Sequence, residues 1–412
     1  MPPAEGDGME IFMKNIAIVN SVSDRSTGKI SSGLQVYLNN NGYNAFLCYG
    51  HGEKIEGHNK YRIDFPVEHY FHAFMTRLFG KQGAYSIFAT KRLIKFLEEK
   101  EIDTVFGVGL HGYYLNEKMF FDYIIEKNLK FIYVMTEEYA YLGKCGYSDG
   151  CLNYLDGCGH CPQLKEYPKS LFFDRTAQMY KIKKYAYENM KKAVFVGPKY
   201  TIEAGKKSPL LNGCNLAVVD EAIDTTFYSP RDTKSIRDEL KIADEKIVIL
   251  CIAPSSYPRK GTRYFLELAR SFEGDDRFVF VHVGFTNKKE GLPTNFIPVG
   301  YISDQNKLAE FYSLGDLFVF PSLLDTMPNA CLEALSCGTP LLCFDISGMS
   351  YLGPERIVKL VDAESVEQLK RVVSGTKKKD AEISQECREY ALARYDNRFY
   401  YSKLVEAATT LD

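Results

Sequence analysis

Two carboxylates stand eight positions apart in a segment with the pattern strand, loop, helix. Asp325 lies in a loop after the apolar run 317–320, and Glu333 lies in the short helix that comes next. Pro328 and Asn329 are typical of a helix N-terminus, where free N–H groups and the helix dipole attract an anion. In a functional interpretation, the helix N-terminus binds a diphosphate, Glu333 binds ribose hydroxyls and Asp325 faces a sugar ring. The spacing alone, however, favours the simpler interpretation of an ordinary capped helix with surface carboxylates.

Short apolar runs alternate with helical patterns along the whole chain, which is typical of parallel sheets covered by helices. The strand-like runs are 16–20, 45–49, 104–108 and 131–135 in the first half, and 247–252, 278–283, 317–320 and 341–344 in the second. We predict an α/β fold of two Rossmann-like, doubly wound parallel-sheet domains. Because ligands bind at the carboxyl ends of such strands, the two domains should face a cleft that holds the ligand.

The same pattern predicts the domain boundaries. Residues 1–12 should form a disordered leader, and residues 13–228 should form the first domain, which carries a cysteine-rich insert at 137–168. Residues 229–395 should form the second domain. The remaining residues, 396–412, should form a helix that returns to the first domain.

The composition excludes several classes of protein. The chain has 412 residues, of which 45% are hydrophobic and 25% charged, and this excludes general disorder. Its 51 Lys and Arg balance 53 Asp and Glu, so no nucleic acid partner is expected. No apolar run approaches the roughly 18 residues that cross a bilayer, and the N-terminus lacks a secretory signal. We expect the cysteines to be reduced. The protein should be cytoplasmic, either unattached or at the inner face of the plasma membrane.

Two glycine-rich segments imitate phosphate-binding loops. Residues 107–112 follow a strand and fit the dinucleotide pattern GxGxxG. Glu137, 25 residues after Gly112, fits the acidic position of that pattern. They lie far from the opening turn of their domain, however, and bulky side chains stand where a pyrophosphate must approach the backbone. Gly28 and the following lysine suggest a P-loop, but Ser23 and Ile30 occupy its required glycine and hydroxyl positions. Hydride transfer is therefore a minor alternative, and we reject the P-loop.

Residues 320–340 resemble the signature of glycosyltransferase family 4, which comprises retaining sugar-nucleotide enzymes of the GT-B fold. The resemblance includes Pro321-Ser322, Glu333-Ala334 and the run from Cys337 to Pro340. The first acidic residue, often Glu in the family, is Asp325 here, which shortens the carboxylate arm.

Five further segments, in chain order, resemble the bacterial capsule, exopolysaccharide and colanic-acid branch of that family. They are an N-terminal loop at 26–29, a turn and strand at 42–50, a histidine segment at 111–116, a cysteine-rich insert with 157–163, and a basic donor-phosphate site at 259–261. Two positions depart from the pattern. Pro254 replaces a basic residue, so either Arg259 substitutes for it or phosphate neutralisation is weaker. Thr136-Glu137 replaces a His-Asp pair, so the choice of acceptor should differ.

The resemblance implies a retaining glycosyltransferase that moves a sugar from a UDP- or GDP-sugar to a saccharide or lipid-linked saccharide in surface polysaccharide biosynthesis. The second domain would bind the donor and the first the acceptor, with no cofactor required for catalysis. Catalytic roles fall to His111, Lys260 and Asp325. Donor binding falls to Gly28, Arg259, Lys260, Thr326, Met327, Pro328, Asn329 and Glu333, and acceptor binding to Ser26, Thr27, Lys29, Tyr113 and Glu137.

Lys260, Arg259 and the helix N-terminus would stabilise charge on the leaving phosphate. Gly28 would let the backbone approach the phosphates. His111 would orient or polarise the donor sugar, unless it is a structural histidine in a turn.

Two other functions stay open. One is a sugar-nucleotide epimerase or a phosphorylase on the same scaffold. The other is a non-catalytic subunit that binds a nucleotide sugar. Nucleotide release that requires an acceptor would indicate a glycosyltransferase and would distinguish it from both alternatives.

Two further features lie in the first domain. Four cysteines within seventeen residues predict a closed structural zinc site, with unliganded thiols and then disulfides as alternatives; they are Cys145, Cys151, Cys158 and Cys161. A basic helix at 175–192 is a solvated face in the simpler interpretation. Because acceptors in the family branch are often lipid-linked, the alternative is a peripheral contact with anionic headgroups.

Overall fold

The computed structural model describes residues 14–23, 25–287 and 290–411, which form two compact units. The first unit contains the described residues up to Val196, together with Gly205–Ala217 and the chain from Val405 onward. The second contains Gly197–Ala204 and Val218–Leu404. The leader predicted for residues 1–12 lies outside the described residues.

The first unit is built on a seven-stranded sheet with the order β3-β2-β1-β4-β5-β6-β7. Its strands are β1 (Asn15–Val22), β2 (Asn44–His51), β3 (Lys60–Arg62), β4 (Thr104–Val108), β5 (Lys130–Val134), β6 (Ala193–Gly197) and β7 (Asn215–Val218). Its helices are α1 (Arg25–Asn40), α2 (Pro66–Phe79), α3 (Ile87–Glu99), α4 (Glu117–Glu126) and α5 (Thr176–Asn189). The pairs from β3 to β6 are parallel.

The second unit is built on a six-stranded parallel sheet with the order β10-β9-β8-β11-β12-β13. Its strands are β8 (Ile247–Ile252), β9 (Phe278–Val283), β10 (Phe296–Val299), β11 (Leu317–Phe320), β12 (Leu341–Phe344) and β13 (Val358–Val361). The helices that follow β6 are α6 (Lys199–Gly205), α7 (Lys234–Leu240), α8 (Thr262–Arg270), α9 (Gln305–Leu314), α10 (Asn329–Ser336), α11 (Val366–Ser374), α12 (Ala381–Arg394) and α13 (Asn397–Thr409).

The central strands are buried on both faces, as in parallel sheets that helices cover on both sides. Residues 248–251 of β8 and all of β11 are buried, and they form the centre of the second core. The two parallel α/β sheets predicted from the alternation are therefore confirmed. None of the described helices combines the length and the apolar character needed to span a membrane.

Candidate active site

In the second unit, two cations and a carboxylate meet at the carboxyl edge of the sheet. Lys260 lies in the turn between β8 and α8, and Asp325 lies in the loop after β11, the strand beside β8. Lys260 Nζ is 2.8 Å from Asp325 Oδ2, and Arg259 Nη1 is 3.6 Å from Oδ1. Ser322 Oγ also donates to Asp325 Oδ2, at 2.9 Å. The structure thus brings the predicted basic residues and the first carboxylate together.

Two glycines let these loops pack backbone against backbone. A Cβ on Gly261 would lie 1.8 Å from the Pro321 carbonyl oxygen, and a Cβ on Gly348 would lie 1.6 Å from that of Thr326. The Gly348 N–H donates to the carbonyl of Asp325 at 2.8 Å. Only glycine fits at either position. Sequence reasoning missed Gly348, because its partner loop lies more than twenty residues earlier in the chain.

Helix α10 begins beside the carboxylate. Pro328 precedes its first residue, Asn329, and makes no side-chain cap. The other predicted donor residues of this loop, Thr326 and Met327, are buried. The helix N-terminus therefore follows Asp325 directly, as the sequence pattern predicted.

Glu333 has partners that the sequence did not suggest. It interacts with the hydroxyls of Tyr228 and Tyr312, two buried residues whose ring centroids are 6.1 Å apart. Burial, and after it the charge and hydrogen bond of Glu333, raise the pKa of both phenols. The second carboxylate of the pattern is thus held by tyrosines, and its contact with a ribose stays a prediction.

A third carboxylate was also missed. Glu221 is buried, and burial together with the nearby charges of Asp325 and Asp220 raises its pKa to about 8. At neutral pH this group is mainly the neutral acid, which can donate a hydrogen bond. Nothing in the local sequence around Glu221 indicates burial beside a second carboxylate.

In the first unit, His111 and Glu137 form a half-buried ion pair. His111 follows β4 and Glu137 follows β5, the neighbouring strand, and His111 Nδ1 is 2.6 Å from Glu137 Oε1. Burial lowers the pKa of His111, but the charge and hydrogen bond of Glu137 outweigh it and hold that pKa above its usual value. Glu137, predicted to bind the acceptor, contacts the predicted catalytic histidine, and its binding of the acceptor stays a prediction. Two glycines of the dinucleotide-like pattern form the turn around His111. Gly109 and Gly112 have φ values of 67° and 125°, which glycine adopts without strain.

A buried cluster lies beside this pair. The Tyr139 ring lies 5.2 Å from that of His111, and the Tyr139 hydroxyl donates to Glu117. Lys183 Nζ donates to the carbonyls of Tyr139 and Leu142 at 2.6 and 3.0 Å. Burial lowers the pKa of Lys183 to about 8, although Glu117 opposes this. The prediction that Lys183 belongs to a solvated basic face is therefore wrong, because it bonds to carbonyls that only the fold brings near.

The predicted loop at 26–29 is helical. These residues belong to the first turns of α1, where Ser26 and Lys29 are exposed and Gly28 is buried. A Cβ on Gly28 would lie 2.6 Å from the Ser23 carbonyl carbon. Packing against the backbone just after β1 therefore suffices to explain this glycine. Tyr113 is buried near His111 with a φ of 66°.

The cysteine-rich insert is held by a lysine. Lys144 is buried, and its Nζ donates to the carbonyls of Leu164, Glu166 and Pro168 at 3.0, 3.3 and 2.8 Å. The four cysteines of the insert, Cys145, Cys151, Cys158 and Cys161, line one small cavity. Within the described part of the chain, however, no three His, Cys, Asp or Glu side chains are placed to hold a metal ion. The predicted structural zinc site is therefore not supported.

Known proteins resemble this chain in both sequence and fold. Residues 246–375 match the family model described as Glycosyl transferases group 1. The putative colanic acid biosynthesis glycosyl transferase WcaC of Escherichia coli K12 is 25% identical over 310 residues, which cover 68% of this chain and 70% of the relative. The UDP-Gal:alpha-D-GlcNAc-diphosphoundecaprenol alpha-1,3-galactosyltransferase of Escherichia coli is 26% identical over 153 residues, 33% of this chain and 38% of the relative.

The fold also matches solved structures. WaaG, described as a glycosyltransferase involved in lipopolysaccharide biosynthesis, superposes with a TM-score of 0.64 at 14% identity, over 96% of this chain and 99% of that chain. The chain is a glycosyltransferase with the GT-B fold, and these two predictions are confirmed. None of these findings supports an epimerase, a phosphorylase or a non-catalytic subunit.

Proposed function

We propose that this enzyme transfers a sugar from a nucleotide-diphosphate sugar, with retention of configuration, to a saccharide or lipid-linked saccharide during surface polysaccharide biosynthesis. The names of the Escherichia coli relatives support the pathway class, a UDP-sugar donor and a diphosphoundecaprenol-linked acceptor. All eleven cysteines are free thiols, which supports the proposed cytoplasmic location.

The observation that carries the proposal is the cluster of Lys260, Arg259 and Asp325 beside the N-terminus of α10. Two cations face one carboxylate, so the cluster retains a positive excess for a diphosphate. When the nucleoside diphosphate leaves, negative charge develops on its β-phosphate. Lys260 and the helix N–H groups are already in place and would stabilise that charge without reorganisation. Arg259 supplies the second cation that Pro254 cannot.

The proposed reaction breaks the bond between the anomeric carbon and the β-phosphate oxygen, and forms a bond from that carbon to the acceptor oxygen on the same face. A β-phosphate oxygen takes the acceptor proton. His111 would orient or polarise the transferred sugar. Glu137, at 2.6 Å, would fix the orientation of His111 and favour its charged form.

The remaining assignments belong to the same proposal. Asp325 would face the sugar once phosphate occupies the cations, and Glu333 would use its remaining acceptor capacity for ribose hydroxyls. Gly28 would let the backbone of α1 approach the phosphates. The acceptor would contact the exposed and half-buried polar groups at the start of α1, Ser26, Thr27 and Lys29, and also Tyr113.

A screen of nucleotide sugars for thermal stabilisation identifies the donor, because a ligand that binds only the folded state raises the unfolding temperature. Nucleotide release is then measured with and without a lipid-linked acceptor, and the anomeric configuration of the product is determined by NMR. Release that requires the acceptor and gives a retained anomer supports the proposal. Sugar isomerisation without an acceptor, or an inverted product, contradicts it.

A further inference from the structure

The first unit carries a large exposed apolar cluster that its core does not use. We call it the aromatic surface. Its members lie on and beside α2, at the start of α3 and before α5: Phe65, Val67, Tyr70, Phe71, Phe74, Phe79, Ile87, Phe88, Leu171, Phe172 and Phe173. Val67 is 82% exposed, Tyr70 73% and Phe88 70%. Large contiguous apolar patches on a protein surface mark interaction sites.

The cluster is one continuous surface. Val67, Tyr70, Phe71 and Phe74 follow the i, i+3, i+4, i+7 spacing of one helix face, while α2 buries its opposite face. The rings of Phe79 and Phe173 stack at 6.2 Å. The start of α3 is fixed to α2 because the Ala89 N–H donates to Glu68 Oε1 at 2.9 Å, and the Leu171 N–H likewise donates to the Arg77 carbonyl at 2.7 Å.

The charges around the aromatic surface favour an anionic occupant. Exposed cations border it at Arg77, Lys91, Lys169 and Arg175. The two carboxylates of these segments already have partners. Glu68 pairs with Arg92 at 3.1 Å, and Asp174 accepts hydrogen bonds from Thr176 and from the Cys161 N–H.

We infer that the aromatic surface docks on an anionic lipid bilayer. Exposed Phe and Tyr side chains beside Lys and Arg match the boundary between headgroups and acyl chains, where rings enter the apolar layer and cations meet lipid phosphates. This surface shares only Arg175 with the membrane contact expected from the basic helix at 175–192. In that helix Lys183 is buried, and Lys184 pairs with Glu188 at 3.1 Å.

The aromatic surface adjoins the His111 loop. The Tyr70 ring lies 5.6 Å from that of His69, and the His69 ring lies 5.9 Å from that of Tyr113, two residues after His111. If the acceptor is lipid-linked, as the proposed function has it, docking would bring this loop to the lipid headgroups. That consequence rests on the proposed function, whereas the docking itself does not.

Flotation with vesicles tests the docking, without donor or acceptor. Full-length protein is mixed with vesicles of phosphatidylcholine alone or with phosphatidylglycerol added. We expect flotation with the anionic vesicles, and at least a tenfold lower partition for Phe74→Ser combined with Phe172→Ser. Arg77→Gln combined with Lys169→Gln should lower partition only on anionic vesicles, by about fivefold for each cation. Tyr301→Ser, which removes a ring that is 81% exposed in the second unit, should change nothing.

Several outcomes would overturn the inference. The inference is wrong if wild-type protein does not float with the anionic vesicles. It is also wrong if Phe74→Ser combined with Phe172→Ser floats like wild type. A dimer in sedimentation velocity that these substitutions convert to a monomer, without vesicle binding, would assign the surface to a second copy. If the protein with Phe74→Ser and Phe172→Ser fails to fold, Tyr70→Ser combined with Phe88→Ser tests the same surface. A chain that binds vesicles but transfers no sugar refutes the proposed function and leaves the docking intact.

Discussion

Removal of the Lys260 ammonium tests the centre of the proposed mechanism. Lys260 Nζ is 2.8 Å from Asp325 Oδ2, and its side chain is only 18% exposed. The ammonium also lies 5.2 Å from the centroid of the Phe320 ring. A fixed and largely desolvated charge of this kind stabilises a developing phosphate anion more strongly than a solvated lysine does.

Lys260→Ala should lower kcat by about 10²-fold or more, which corresponds to roughly 3 kcal/mol of transition-state stabilisation. Lys260→Met keeps most of the apolar stem and removes the charge, so the same loss in both variants would assign the effect to charge. Asp325 keeps Arg259 at 3.6 Å and Ser322 at 2.9 Å, so the free energy of unfolding should fall by only about 1 to 3 kcal/mol.

The assay is the initial rate of acceptor-dependent nucleotide release at saturating donor, far below the unfolding temperature of each variant. Lys307→Met is the matched control, because it removes an exposed lysine of the same unit that pairs with Glu239 at 2.9 Å. Its kcat should stay within about twofold of wild type. A folded Lys260→Met enzyme with a near-normal kcat would refute the phosphate-neutralising role.

Three further predictions follow from contacts within single units. Gly348→Ala should weaken nucleoside diphosphate binding at least tenfold in calorimetry, since its Cβ would lie 1.6 Å from the Thr326 oxygen; unchanged affinity would show that the loop can relax. Glu137→Gln should drop the pKa of His111 below its usual value in an NMR titration, because burial and the charge of Lys183 are then opposed only by the charge of Glu117; an unchanged pKa would deny the coupling. Glu221 binds its proton more tightly in the folded state, so its stabilising effect is complete below about pH 4 and is lost as pH rises through about 8. Glu221→Gln should therefore be more stable relative to wild type at pH 9 than at pH 6, by up to about 3 kcal/mol in chemical denaturation; a difference independent of pH would contradict the raised pKa.

The core strands were predictable because a parallel strand buried on both faces is a continuous apolar run. Residues 247–252 and 317–320 are such runs, and they form β8 and β11. The short edge strands carry no such pattern: β3 spans three residues that are all half-buried. β3 pairs with β2 at the edge of the sheet, and the local sequence does not record that pairing.

The candidate site divides in the same way. The strand, loop and helix around Asp325 and Glu333 could be read from the order of residue types, since capping and apolar periodicity act over a few positions. That Glu333 bonds to Tyr228 and Tyr312 could not be read, because these residues lie far from it in the chain.

The sequence by itself determined the two α/β sheets, the position of the loop before α10 and the residue types available at each strand end, because these depend on local spacing. Only the tertiary structure decided which charges meet. It paired His111 with Glu137, turned Lys183 inward and left the aromatic face of α2 exposed. The physical reason is that burial and charge pairing depend on distances between distant segments, and one sequence pattern is compatible with many such distances.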